Sequence, residues 1–183
     1  MEIRAERGGG RWRLAVWGGG TLILLAPLVA MQVTDQVAWT PFDFAVLGGL
    51  LLFAALGVEL AVRAGSSLGY RIGAALTLGL VVLLTAVNGA VGVIGSEDLA
   101  ANRLYLAIPA VILAGAALSR LRPAGLARTL AVAAGVQVAA PVVAALAGAP
   151  AWAPEVLVAT AVFTAGWLLA ALLFRRDAAS RAT

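Results

Sequence analysis

Residues 43–94 read DFAVLGGLLLFAALGVELAVRAGSSLGYRIGAALTLGLVVLLTAVNGAVGVI, two apolar runs of 20 and 23 residues joined by nine that hold Arg63 and Arg71. No charged residue falls between 44 and 58 or between 72 and 94. At about 1.5 Å per residue each run makes a helix of roughly 30 Å or more, the thickness of a bilayer's hydrocarbon core. Neither run has the polar stripe that a water-exposed helix needs. The stretch therefore reads as a helical hairpin that crosses a membrane twice.

Outward from it, residues 14–33, 104–119, 129–148 and 155–174 are apolar runs of similar kind. The whole chain of 183 residues is 62% hydrophobic and 12% charged, with a mean hydropathy of +0.99. A soluble domain carries about 25% charged residues, so lipid and not water must surround most of this one. The expected fold is all-α, a polytopic bundle of six transmembrane helices. Residues 14–174 would form one domain, flanked by a disordered cytoplasmic N-terminus (1–13) and a cytoplasmic tail (175–183). Thr40-Pro41-Phe42-Asp43 predicts the start of the second helix, with Thr40 as N-cap, Pro41 in the first helical position and Asp43 reaching back. Ser96 is expected to cap the fourth, with Glu97 and Asp98 in its first turn.

Arginine placement orients the bundle. With the N-terminus inside, the inner segments hold twelve arginines (4, 7, 11, 13, 63, 71, 120, 122, 128, 175, 176 and 181) and the outer ones hold only Arg103. That is the positive-inside pattern for two cytoplasmic termini. The expected location is a bacterial plasma (inner) membrane. Trp12, Trp17, Trp39, Trp152 and Tyr105 fall where interfacial aromatic belts would lie. Arg-rich residues 1–13 before an apolar run also fit a signal peptide cleaved near Ala30, but the run exceeds a typical h-region, and a retained first helix is the reading adopted.

The chain has no His, no Cys and no Lys. Imidazole and thiolate metal sites, thiol chemistry, Schiff bases and the Ser–His dyad are thereby excluded. No cofactor or metal is expected. No loop is long enough for an extramembrane domain, so nucleic acid is not an expected partner despite a pI near 11.

Polar groups in hydrocarbon each need a reason. Thr85 and Asn88 share a face of the third span, Gln137 falls near the middle of the fifth, and Thr160 and Thr164 lie on one face of the sixth beside Trp167. They read either as hydrogen-bonding glue between helices or as a path for a small solute. Glu59 precedes Arg63 by four residues, which reads as an interfacial helix pair or as an inner-end cation or proton site. Asp35, Asp43, Glu97 and Asp98 form an outer acidic group, which reads as helix capping or as a Ca²⁺ or Mg²⁺ site. Pro27, Pro109 and Pro141 each interrupt a span, and each frees a carbonyl four residues earlier.

The segment VNGAVGVIGSEDLAANRLY (87–105), with MQVTDQVAWTPFDF (31–44), resembles an uncharacterised family of small bacterial six-helix membrane proteins. That family's turn reads SEDNPAN, whereas Leu99 and Ala100 stand here for Asn and Pro. The resemblance implies an uncleaved first helix and outer loops that pack together, and brings no catalytic residue. Three functions follow as expectations. The first is a non-enzymatic structural or accessory subunit, partnered by lipid and by other membrane proteins or a second copy. The second is a small channel or transporter. The third is an intramembrane lipid-acting enzyme with Glu59 or an outer carboxylate as general base.

Overall fold

A computed structural model describes the backbone of residues 3–35, 37–65 and 67–181, and side chains from Leu14 onward. It contains six α-helices: α1 (Ile3–Val33), α2 (Pro41–Ala64), α3 (Leu68–Ala90), α4 (Ala107–Leu118), α5 (Pro123–Leu146) and α6 (Pro154–Ser180). A 3₁₀ helix, Ala100–Leu106, leads into α4, and no strand occurs among the described residues. All six spans are long and apolar enough to cross a membrane, so the fold is the expected all-α transmembrane one.

The boundaries differ from expectation in instructive ways. From Ile3 onward the tract expected to be disordered belongs to α1, and residues 175–180, expected as a tail, are the last turns of α6. The third span stops at Ala90, four residues early, because Gly92 (φ +74°) and Gly95 (φ +63°) turn the chain through left-handed backbone. Ser96 does not cap the fourth span, and Glu97 and Asp98 lie in a turn before it. The Ser96 carbonyl is engaged instead by Leu99 N at 3.1 Å and Asn102 Nδ2 at 2.7 Å, so the loop wraps around Asn102 and the helix begins at Ala100. A 3₁₀ rise of about 2.0 Å per residue, followed by α4, carries this short span across roughly 32 Å. Pro109 falls in the first turn of α4 and interrupts nothing, whereas Pro27 and Pro141 lie inside their helices.

The Thr40 expectation is met. Thr40 N and Oγ1 donate to Asp43 Oδ2 at 2.7 and 2.8 Å, and Asp43 N donates back to Thr40 Oγ1 at 3.4 Å.

Contacts divide the chain into two units, residues 1–57 and 58–183, with α2 running through the division. In the first unit Leu24 of α1 meets Gly48 of α2, the leucine methyls lying 3.9 Å from where a glycine Cβ would stand. Trp17, Gly20, Leu24, Gly48 and Leu51 line a groove of about 140 Å³ there. In the second unit α6 packs on both α3 and α5, α4 packs on α5, and the 3₁₀ helix touches α3, α4 and α5. Small residues set these approaches, as expected where lipid supplies no hydrophobic drive between helices. A Cβ on Gly166 of α6 would stand 2.7 Å from Leu80 Cδ1 of α3, and one on Gly73 of α3 would stand 3.3 Å from the Phe174 ring of α6. These two contacts fix the antiparallel register of α3 and α6. Extended about two turns further, they bring Asn88 to the level of residues 158–160.

Candidate functional site: an unpaired polar group in the bundle

Two of the polar groups in the second unit differ in how well they are satisfied. At the arginine-rich end, Ser67 Oγ accepts from Tyr70 N at 3.0 Å as the N-cap of α3, and donates to Asp177 Oδ1 of α6. Asp177 Oδ2 lies 2.8 Å from Arg181 Nη2 in ion-pair contact, without the alignment of a hydrogen bond. The Arg181 guanidinium sits 5.8 Å above the Tyr70 ring, which packs edge-on to Phe174 at 5.1 Å. Tyr70 Oη donates to the Leu121 carbonyl at 2.8 Å. Leu121 (φ +59°) and Arg120 (φ +50°) are both left-handed, a costly conformation for side-chain-bearing residues. The tyrosine bond helps hold that turn. This group joins the α2–α3 link, the α4–α5 turn and the end of α6.

Toward the opposite end the second group is left unpaired. Asn88 Oδ1, Tyr105 Oη, Gln137 Nε2, Thr160 Oγ1 and Thr164 Oγ1 are all buried atoms without a hydrogen-bond partner. Gln137, Tyr105 and Trp167 are at most 1% exposed. Trp167 Nε1 donates to Gln137 Oε1 at 3.4 Å, which occupies the amide oxygen and leaves its nitrogen free. Tyr105 and Thr160 sit close enough to interact, yet neither hydroxyl completes a normal bond. Other threonines of the unit show the contrast, since Thr77 and Thr129 bond back to the carbonyls of Gly73 and Gly125 at 2.8 and 3.1 Å. Pro141 also lacks the N–H that would bond the Gln137 carbonyl. Thr160, Thr164 and Trp167 repeat at helical spacing and face one way along about 10 Å of α6.

Of the residues singled out from the sequence, four (Asn88, Gln137, Thr160 and Thr164) supply atoms of this group. Thr85 is half-buried and adds none. The structure adds Tyr105, expected at an interfacial belt but 1% exposed because the 3₁₀ helix turns it inward. Its sequence signal was ambiguous, since an aromatic near a span end reads first as belt. Glu59 pairs with Arg63 at 3.0 Å, as the helix-pair reading had it.

The outer acidic residues give no metal centre. Among the described residues no three Asp or Glu side chains gather to hold an ion, and Asp43 is committed to its cap. Asn102 instead organises that end. Its Oδ1 accepts from Val93 N and Ile94 N at 3.0 and 2.9 Å, and its Nδ2 donates to the carbonyls of Ile94 and Ser96 at 3.1 and 2.7 Å. An apolar groove of about 530 Å³ lies between the 3₁₀ helix and the end of α5, lined by Leu99, Leu104, Val143 and Ala147 among others. Asp177 was missed by sequence reasoning because it follows the apolar run. The available signal was an acidic residue four before Arg181, alone among the arginines of 175–183. No protein-family model, no curated protein and no solved structure matches this chain.

Proposed function

We propose that this chain is a non-enzymatic membrane protein that admits a small solute into the bundle of its second unit. The unpaired group of α3, the 3₁₀ helix, α5 and α6 carries the reading. An unsatisfied polar atom in a low-dielectric interior costs free energy that packing glue would have recovered. In the same unit Thr77 and Thr129 bond back to carbonyls of their own helices, so an unpaired hydroxyl is not the rule for its threonines. The absence of His, Cys and Lys from the sequence supports a role without covalent catalysis. The arginine asymmetry supports cytoplasmic termini in a bacterial inner membrane, with the unpaired group nearer the outer face.

The test uses the full chain reconstituted into lipid vesicles and challenged with a panel of neutral and ionic solutes. At least one should pass faster than through protein-free vesicles, and Gln137→Leu should abolish that excess. Equal rates for every solute would defeat the reading.

A structural or accessory role is the second reading, and the first unit favours it. From Leu14 to Val33 no side chain is buried, and Cβ atoms on Gly18, Gly19 and Gly20 would meet nothing within 4 Å. Since the chain has no cysteine, Gly19→Cys provides a single cross-linking site. Disulfide-linked dimers or adducts in native membranes support this role, and monomer alone argues against it.

A further inference from the structure

We propose that the unpaired group binds an uncharged solute bearing both hydrogen-bond donors and acceptors, of the small polyol or urea class, and rejects ions. This rests on the solute reading above and adds the chemistry that selects the solute. The free valences are mixed. Gln137 Nε2 offers N–H donors, Asn88 Oδ1 is an acceptor, and the hydroxyls of Tyr105, Thr160 and Thr164 can do either. Four residues before Pro141, the Gln137 backbone carbonyl also lacks its usual helical donor.

A cation needs acceptors throughout and would meet the Gln137 N–H groups. An anion needs donors throughout and would meet the Asn88 oxygen and the Gln137 carbonyl. A molecule with several hydroxyl or amide groups satisfies both kinds at once. Charge points the same way. An ion inside hydrocarbon needs a compensating charge, and the charged residues nearest the group in sequence, Arg103 and Glu155, are both exposed. Asp177 lies ten residues beyond Trp167 on α6 and is engaged by Ser67 and Arg181. The polar face runs along about 10 Å of α6, the span over which a small solute would exchange hydrogen bonds with it. Gln137 is the anchor, being fully buried with its nitrogen unspent.

The experiment measures glycerol and urea entry into vesicles containing the full chain by stopped-flow light scattering, and potassium entry with an enclosed fluorescent indicator. Glycerol or urea should pass faster than through protein-free vesicles, with potassium unchanged. Thr164→Val keeps the side-chain shape and removes one unpaired hydroxyl. It should slow the neutral solute by about 3- to 30-fold, the range one intramembrane hydrogen bond supports. Its thermal unfolding temperature in detergent should hold or rise, where loss of packing glue would lower it. Potassium passage without glycerol or urea passage overturns the proposed chemistry and leaves solute entry standing. Neutral passage unaffected by both Thr164→Val and Gln137→Leu overturns the site. No passage of any of the three overturns the proposed chemistry, and solute entry falls with it only when every solute of the wider panel also fails to pass.

Discussion

Replacement of Asp177 by alanine tests how the arginine-rich end is held. The carboxylate is only 2% exposed, whereas the Arg181 side chain is 44% exposed. The two interactions should therefore differ in worth. A hydrogen bond to a buried charged group contributes about 1.5–3 kcal/mol. A half-exposed helix pair at i,i+4 contributes about 0.3–0.5 kcal/mol. Asp177→Ala should then destabilise by about 2–3 kcal/mol, nearly all of it through Ser67. The converse substitution, Ser67→Ala, leaves a buried carboxylate short of a donor and also removes the α3 cap, itself worth about 1 kcal/mol. Joint replacement of Ser67 and Asp177 removes both polar groups and should recover part of the sum. The measurement is equilibrium unfolding in mixed sodium dodecyl sulfate and mild-detergent micelles, followed by far-ultraviolet circular dichroism, for the singles and both double-mutant cycles. Coupling of Asp177 to Ser67 should exceed its coupling to Arg181. A larger coupling to Arg181, or an Asp177→Ala cost below about 0.5 kcal/mol, would refute the reasoning.

Three further outcomes are expected. Asn102→Ala removes four hydrogen bonds around residues 93–96 and should destabilise by about 2–4 kcal/mol in the same unfolding assay, with no rescue by Asn102→Asp, whose second oxygen would face the Ile94 and Ser96 carbonyls. Gly92→Ala should be far more damaging than Gly89→Ala. Its Cβ would sit 2.6 Å from Asn102 Nδ2 and 2.7 Å from the Ser96 backbone at φ +74°, whereas Gly89 has open space, as paired thermal melts will show. In the cysteine-free chain, a membrane-impermeant maleimide added to intact cells should label Trp152→Cys and spare Arg122→Cys, and the reverse pattern would invert the proposed orientation.

Local chemistry carried much of this in advance. The spans were legible because hydrocarbon thickness demands about 20 apolar residues, a requirement visible in one dimension. The Thr40 box and the Glu59–Arg63 pair were legible because their partners lie three and four residues apart. The start of the fourth span was not. Ser96, Glu97 and Asp98 have the composition of a helix start, but the side chain of Asn102 closes the loop from the far side and leaves the helix to begin at Ala100. The candidate site was half legible. Asn88, Gln137, Thr160 and Thr164 are conspicuous as polar residues among apolar ones, yet their sequence could not tell bonded from unbonded.

What the amino-acid order determined by itself is the solvent of this protein, the presence of its six spans and the Thr40 cap of α2, since these depend on transfer free energy and on neighbours within one turn. Only the tertiary structure decided which polar atoms find partners. Asp177 meets Ser67 across 110 residues of chain, while the Gln137 nitrogen meets nothing. That difference arises because the α3–α6 and α5–α6 registers are set by close approaches such as Gly166 against Leu80, and a hydrogen bond forms only where those registers bring donor and acceptor within reach.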